Sequence, residues 1–134
     1  MNKDMLLVKH IMVEFVVTAN SNITVKRTIE TLYEKHVGSI VVVDDDEKCI
    51  GIFTERDAIR LVAKNAQLEQ PVANVMTKNV VTVQEETSLD EARRLIFTHK
   101  IRHLPVVNKE NKLVGLLSVR WLFDQLFGLH SPKC

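Results

Sequence analysis

Residues 40–57 read IVVVDDDEKCIGIFTERD, and residues 104–121 read LPVVNKENKLVGLLSVRW. Each stretch contains two apolar runs with a polar segment between them, and the second run leads into a hydroxyl residue, Thr54 or Ser118. Runs of this length predict β-strands, and the polar segment predicts the turn of a hairpin. Because the strands are apolar on both faces, other elements must cover both faces of the sheet.

The two stretches belong to an internal repeat. A shift of 64 residues aligns Val8–Val62 with Val72–Leu126 without a gap. Ten positions are then identical: Val8/Val72, Met12/Met76, Val16/Val80, Val17/Val81, Thr18/Thr82, Val42/Val106, Val43/Val107, Lys48/Lys112, Gly51/Gly115 and Arg56/Arg120. Many other positions exchange one apolar residue for another, as expected of two copies of one buried scaffold. The chain therefore contains one unit twice.

Each copy changes its hydrophobic period in the same order. A short β-branched run (16–18 or 80–83) precedes a helix, the hairpin follows, and a second helix (55–64 or 119–127) closes the copy. The pattern predicts an α/β fold of the α+β kind, with two tandem β-α-β-β-α repeats packed with pseudo-twofold symmetry. We place the first repeat with its N-terminal segment at 1–64, a linker at 65–71, and the second repeat with a C-terminal tail at 72–134. Such packing predicts two related clefts for a ligand.

The composition narrows the class of protein. The 134 residues are 46% hydrophobic and 26% charged, which is typical of a globular chain and not of disorder. A net charge of +1 argues against nucleic-acid binding, and we find no targeting or membrane-spanning segment. Cys49 and Cys134 are too far apart in sequence for a CxxC motif. We expect a soluble, cytoplasmic protein.

The junction between the last strand and the last helix of the first copy carries the candidate chemistry. Thr54 and Asp57 have the spacing of N-cap and N3, so a capping box that stabilises the helix is one interpretation. The alternative is a ligand site, in which the hydroxyl and the carboxylate hold a ribose diol beside Gly51, which lets a ligand approach the backbone. The second copy keeps the cap as Ser118 but has Trp121 in place of the carboxylate.

With this junction, the doubled strand-helix-strand-strand-helix unit resembles a tandem pair of CBS domains, the Bateman module. The resemblance covers roughly Val8 to Phe127. It implies a regulatory, non-catalytic module that binds an adenosyl ligand such as AMP, ADP, ATP or S-adenosylmethionine between the copies. It also implies an unidentified regulated protein as partner, and it requires no cofactor beyond the adenosyl nucleotide as regulatory ligand.

The resemblance assigns roles to individual residues. Asp57 would hold the ribose hydroxyls, and Thr54 the ribose or phosphate. The other copy would grip the base through Thr87, Ala92, Ile101 and Arg102. The opposite cleft would use Ser118 with Ile23, Thr28, Val37 and Gly38, although Trp121 departs from the family pattern there. We therefore expect the two clefts to differ.

Positive charge concentrates before the middle strand of the second copy. Lys100, Arg102 and His103, with His99 nearby, could meet a phosphate, or they could simply be solvated cations near a helix C-terminus. Arg56 and Arg120 recur at matching positions and allow the same two interpretations. A zinc pair of His99 and His103 would require the helix to continue into an apolar strand, so we predict no metal site.

Three other functional classes compete with a ligand sensor. An enzyme is disfavoured because no nucleophile and base are grouped near a predicted cleft. A nucleic-acid module is disfavoured by the charge, and a purely structural pair that has lost its ligand remains open. The closing helix carries Trp121, Phe127 and the tail residue Leu129 as additional apolar area, from which we predict a homodimer through the closing helices.

Overall fold

The structure, a computed structural model, describes residues 6–128, without the side chains of residues 125–127. In chain order the elements are β1 (Thr18–Ala19), α1 (Val25–Lys35), β2 (Ser39–Val43), β3 (Cys49–Thr54), α2 (Glu55–Ala63), β4 (Val83–Gln84), α3 (Leu89–His99), β5 (His103–Val107), β6 (Leu113–Ser118) and α4 (Val119–Phe127). Short 3₁₀ turns at Val8–His10 and Val72–Asn74 precede the two copies. The mixed α+β fold and the predicted element order are confirmed.

The first unit comprises residues 17–80. Its sheet has the order β1-β2-β3, in which β1 and β2 are parallel and β2 and β3 antiparallel. All five residues of β2 are buried, as expected of a central strand apolar on both faces. The core contains Val25, Leu32, Ile40, Val42, Phe53, Leu61 and Val72.

The second unit repeats this arrangement with residues 6–16 and 81–128. Its sheet has the order β4-β5-β6, again parallel and then antiparallel. The core contains Val8, Val83, Ala92, Leu104, Val106 and Leu117.

The first helix of each copy has matched ends. The Thr24 hydroxyl accepts from the Arg27 N–H at 3.0 Å, and the Ser88 hydroxyl accepts from the Glu91 N–H at 3.1 Å. Each helix is followed by a C-cap residue in left-handed backbone, His36 (φ 56°) or Lys100 (φ 54°). This left-handed residue turns the chain into the following strand.

The compact units of the structure are offset from the predicted repeats. Residues 6–16 pack with the second repeat, where Val13 forms a bridge to Leu116. Residues 72–80 pack with the first repeat, where Thr77 forms the equivalent bridge to Ile52. The predicted linker at 65–71 belongs to the first unit, since the Val25 N–H donates to the Gln70 carbonyl at 2.9 Å. The similarity between the repeats does not reveal that the segment preceding each repeat packs with the other repeat.

The first strands are shorter and later than predicted. Instead of 16–18 and 80–83, the strands are Thr18–Ala19 and Val83–Gln84, because only two residues of each pair with the neighbouring strand. Among residues 6–128, no helix is long and apolar enough to cross a membrane.

Candidate functional site

The junction between β3 and α2 forms the predicted capping box. Thr54 is the N-cap and has extended backbone (φ −120°, ψ 168°). Its N–H donates to Asp57 Oδ2 at 2.9 Å, and its hydroxyl accepts from the Asp57 N–H at 3.4 Å. The capping interpretation of this pair is therefore confirmed.

Arg60, which was not among the predicted site residues, completes the surroundings of the Asp57 carboxylate. Arg60 Nη1 lies 2.9 Å from Asp57 Oδ1, and the Thr54 hydroxyl lies 3.2 Å from Oδ2. Asp57 is only 8% exposed. A carboxylate offers about four lone-pair sites, and Thr54 N–H, Thr54 O–H and Arg60 use three of them. Acceptor capacity on the Asp57 carboxylate therefore remains for one more donor. The i,i+3 spacing of Asp57 and Arg60 is the sequence pattern that indicates their ion pair.

The glycine of the motif has a packing role, which corrects the role expected of it. A Cβ on Gly51 would overlap the thioether of Met76, and a Cβ on Gly115 would overlap that of Met12. The absence of a side chain at Gly51 makes room for the segment that carries Met76, and its absence at Gly115 makes room for the segment that carries Met12. Approach of a ligand to the Gly51 backbone has no support in this geometry.

Gly38 and Ser39 lie beside the same junction. The Gly38 carbonyl accepts from the Glu55 N–H at 3.0 Å, which ties the start of β2 to the first turn of α2. Ser39 stands opposite Thr54 in the ladder of β2 and β3. Ser39 is 2% exposed, and its Oγ has no hydrogen-bond partner among the described residues. No local sequence pattern marks Ser39 as a site residue.

Three other residues of the first unit were predicted to serve the opposite cleft. The Val37 N–H donates to the Leu32 carbonyl at 3.2 Å, and the Ile23 carbonyl accepts from the Val72 N–H at 2.7 Å. Thr28 is fully buried, and its hydroxyl donates to the Thr24 carbonyl at 2.8 Å. These backbone and side-chain bonds give each residue a structural role, and their contact with a ligand stays a prediction.

The equivalent junction of the second unit differs in its chemistry. The Ser118 hydroxyl accepts from the Trp121 N–H at 3.0 Å, and the Arg102 carbonyl accepts from the Val119 N–H at 2.9 Å. The Trp121 indole Nε1 donates to the Ile11 carbonyl at 2.7 Å. The side chain that replaces the carboxylate thus binds the N-terminal segment instead of capping the helix.

In this second unit, His103 is half-buried and Asp124 is buried. Burial, reinforced by the neighbouring Arg102, lowers the pKa of His103 to about 4. His103 is therefore neutral at neutral pH, which corrects its expected share in a positively charged cluster. Asp124 stands where the first unit has Arg60 and is 6% exposed. His103 Nδ1 and Asp124 Oδ2 have no hydrogen-bond partner among the described residues.

The remaining predicted site residues lie in the second unit or on helix surfaces. Ala92 is fully buried in the core, and Ile101 packs against that core. The Thr87 carbonyl accepts from the Val8 N–H at 2.8 Å. The positively charged side chains Arg56, Arg102 and Arg120 are exposed. Contacts of these residues with a base or phosphate stay predictions.

A metal site receives no support in the described part of the chain. α3 ends at His99, and Lys100 leaves the helix in left-handed backbone. The i,i+4 arrangement of His99 and His103 therefore does not form. Residues 6–128 contain no group of three or more His, Cys, Asp or Glu side chains that could hold a metal ion.

The comparison with known proteins identifies the family. The family model for the CBS domain matches residues 8–64 and 72–120. This chain belongs to the CBS domain family. An uncharacterised 17.7 kDa protein of Acidianus ambivalens is 34% identical over 112 residues, which are 84% of this chain and 68% of that protein. The inosine-5'-monophosphate dehydrogenase of Aquifex aeolicus is 36% identical over 105 residues, and the chain spans only 21% of its length.

Solved structures of CBS domain pairs share the fold. The CBS domain pair of protein MJ0100, in complex with 5'-methylthioadenosine and S-adenosyl-L-methionine, superposes with a TM-score of 0.83 at 28% identity, covering 92% of this chain and 97% of that chain. The CBS domain protein PAE2072 of Pyrobaculum aerophilum, complexed with AMP, gives a TM-score of 0.82 at 28% identity, with coverages of 87% and 90%. CBS pairs similar to this chain thus bind adenosyl compounds.

Proposed function

We propose that this chain is a non-catalytic, cytoplasmic regulatory module that binds an adenosyl ligand, AMP, ADP, ATP or an S-adenosylmethionine-like compound, and transmits its occupancy to a partner protein. Asp57 accepts a hydrogen bond from the ribose, and Thr54 contacts the ribose or phosphate. Arg56, Arg102 and Arg120 supply positive charge for a phosphate, and Thr87, Ala92 and Ile101 contribute to recognition of the base.

One observation carries this proposal: the Asp57 carboxylate is held at the N-terminus of α2 with acceptor capacity left over. Thr54 and Arg60 fix both oxygens, so the carboxylate is oriented before a ligand arrives. A preoriented acceptor loses little conformational entropy on binding. The adenosyl compounds in the two structures described above support the ligand class.

The first test is chemical identification of what the protein carries. Protein purified without added nucleotide is denatured, and the released small molecules are identified by mass spectrometry. We expect a compound with an adenosine moiety, and calorimetric titration with that compound should saturate. If no adenosyl compound is released, and none of AMP, ADP, ATP and S-adenosylmethionine binds at millimolar concentration, the proposal is rejected.

A structural pair without ligand is the second candidate, and the Asp57 surroundings favour it too. The capping box and the Arg60 ion pair alone satisfy both carboxylate oxygens. Under this alternative, Asp57 serves only the helix. Titration of a variant at Asp57 separates the two candidates.

We also propose that the chain forms a homodimer through its closing helices. Ile59 and Val62 of α2 are 70% and 61% exposed, and Val119 of α4 is 38% exposed. An isologous contact would bury such residues without leaving an open edge. Trp121 contributes less than predicted because it is half-buried and bound to Ile11. The Phe127 side chain and Leu129 lie outside the described residues.

Light scattering at micromolar concentration tests the dimer. We expect a mass near twice 15.3 kDa for the wild type. Ile59→Lys should shift the mass toward the monomer, because the added charge would be desolvated in the contact. A wild-type mass near 15.3 kDa contradicts the prediction.

A further inference from the structure

The first helix of each copy, α1 or α3, carries an exposed aromatic side chain at the same position of the repeat. Tyr33 of α1 is 81% exposed and Phe97 of α3 is 85% exposed, and the 64-residue shift aligns one with the other. Single exposed apolar residues are common on protein surfaces, but aromatic side chains are enriched in protein interfaces. An exposed aromatic residue at both equivalent positions therefore marks these two helix surfaces as a candidate interface.

The charges beside the two aromatic residues change sign between the helices. The same shift aligns Lys26 with Asp90, Arg27 with Glu91, and Glu30 with Arg94. Positions 30 and 94 precede the aromatic residue by three, so their side chains are its neighbours on the helix surface. The surface of α1 is therefore complementary in charge to the surface of α3, whereas two copies of α1 would bring like charges together.

These charges are paired within their own helices, but on the surface. Arg27 Nη1 lies 3.3 Å from Glu30 Oε1, and Arg94 is paired with Glu91. The four side chains are between 45% and 68% exposed. Exposed ion pairs of this kind contribute little to stability. The same side chains can therefore exchange partners across a contact with another chain at little cost.

The closing helices do not distinguish one orientation of a dimer from another. Arg56 and Arg120 occupy equivalent positions, and Ile59 and Phe123 are both apolar, with exposed fractions of 70% and 53%. In the first unit, α1 lies against α2, so it borders the surface of the proposed dimer contact. The orientation of two copies is therefore decided by the first helices, where the two repeats differ in charge.

We propose that a second copy of this chain docks with its α3 on α1, so that the first unit of one copy meets the second unit of the other. Tyr33 packs beside Phe97, and Glu30 faces Arg94. In an isologous dimer the twofold axis generates the reciprocal contact. This inference rests on the homodimer proposed above and gives its orientation. Pairing of like units is disfavoured because it would place Glu30 against the same residue of the other copy.

Charge reversal at a single position tests the orientation. In Glu30→Arg and in Arg94→Glu, both contacts of the dimer bring like charges together. The dissociation constant of the dimer, measured by sedimentation, should rise at least about tenfold in each variant. In about 1 M sodium chloride, where the Debye length is about 3 Å, the difference from the wild type should shrink.

Two combinations should restore the dimer. In the double variant Glu30→Arg/Arg94→Glu, every contact again joins opposite charges, so the dissociation constant should return to within about threefold of the wild-type value. An equimolar mixture of the two single variants should also form dimers, because both contacts of the mixed dimer join opposite charges. If like units paired instead, the single and double variants would dimerise as the wild type does.

Glu110→Lys is the matched control, because it changes the net charge by the same amount as Glu30→Arg and lies in the turn between β5 and β6. It should leave the dissociation constant of the dimer unchanged. Circular dichroism of each variant checks the fold. If Glu30→Arg fails to fold, Glu30→Gln, which removes the charge without reversing it, must still weaken the dimer.

The outcomes separate this inference from the proposals above. A wild-type dimer that the single reversals leave unchanged, or that the double variant fails to restore, overturns the orientation and leaves the dimer through the closing helices intact. A monomeric wild type overturns the dimer and its orientation together. Neither result affects the binding of an adenosyl ligand, which calorimetry measures separately.

Discussion

Replacing Asp57 with alanine separates binding from capping, because the two roles predict different losses. The ribose contact of the proposed function is a hydrogen bond to a charged acceptor, which contributes about 1.5–3 kcal/mol. Asp57→Ala removes this acceptor and should therefore raise the dissociation constant by about ten- to a hundredfold. An amide at this position would still accept hydrogen bonds through its oxygen, so Asp57→Asn would separate the two roles less clearly.

The same variant loses part of the structure around α2. The capping hydrogen bond from the Thr54 N–H contributes about 1 kcal/mol. The ion pair adds about 0–1 kcal/mol, because the Arg60 side chain is 44% exposed and solvent screens it. We expect the free energy of unfolding to fall by about 1–2 kcal/mol, measured by urea denaturation.

Arg60→Gln is the control for this experiment. It removes the same ion pair and leaves the carboxylate with an additional unoccupied lone pair. The expected result is a small loss of stability with the affinity unchanged or slightly higher. If Asp57→Ala lowers stability but leaves the dissociation constant unchanged, Asp57 only caps the helix and the assignment of the ribose contact is refuted.

Three further predictions follow from the differences between the units. Because Trp121 replaces the carboxylate and cannot accept from a diol, calorimetric binding should saturate near one adenosyl ligand per chain, and two equal sites would contradict this. Gly51→Ala should lower the free energy of unfolding, measured by urea denaturation, by about 1–3 kcal/mol. Gly115→Ala should lower it by more, because the added methyl also meets the Val13 carbonyl at 3.0 Å. Equal stability of Gly51→Ala and wild type would rule out the packing role. Because the pKa of His103 is lowered to about 4 in the folded protein, the unfolded state binds more protons than the folded state between pH 6.5 and 4. The stability that neutral His103 confers is therefore present above pH 6.5 and is lost as the pH falls toward 4. His103→Gln should remove on the order of 2 kcal/mol of this pH dependence, and identical profiles for variant and wild type would show that His103 is not buried as described.

The linear sequence by itself determined the repeat, the order of elements and the capping junction. These features depend on local physics: hydrophobic period, turn residues and the reach of a side chain three residues along a helix. The closing helix of the second copy begins and ends where its pattern predicted, at Val119 and Phe127. The spacing of Thr54 and Asp57 likewise predicted the capping box.

Only the tertiary structure decided which segment packs with which repeat. Met76 covers Gly51 and Met12 covers Gly115, so each N-terminal segment joins the unit of the other copy. The repeat makes both assignments equally compatible with the pattern, because equivalent apolar residues precede each copy. The burial of Ser39 and of the His103 Nδ1 atom could not be predicted either, since it depends on residues brought from a distance across the ladder. Local sequence specifies which groups can bond, whereas the packing of distant segments determines which of them are left without a partner.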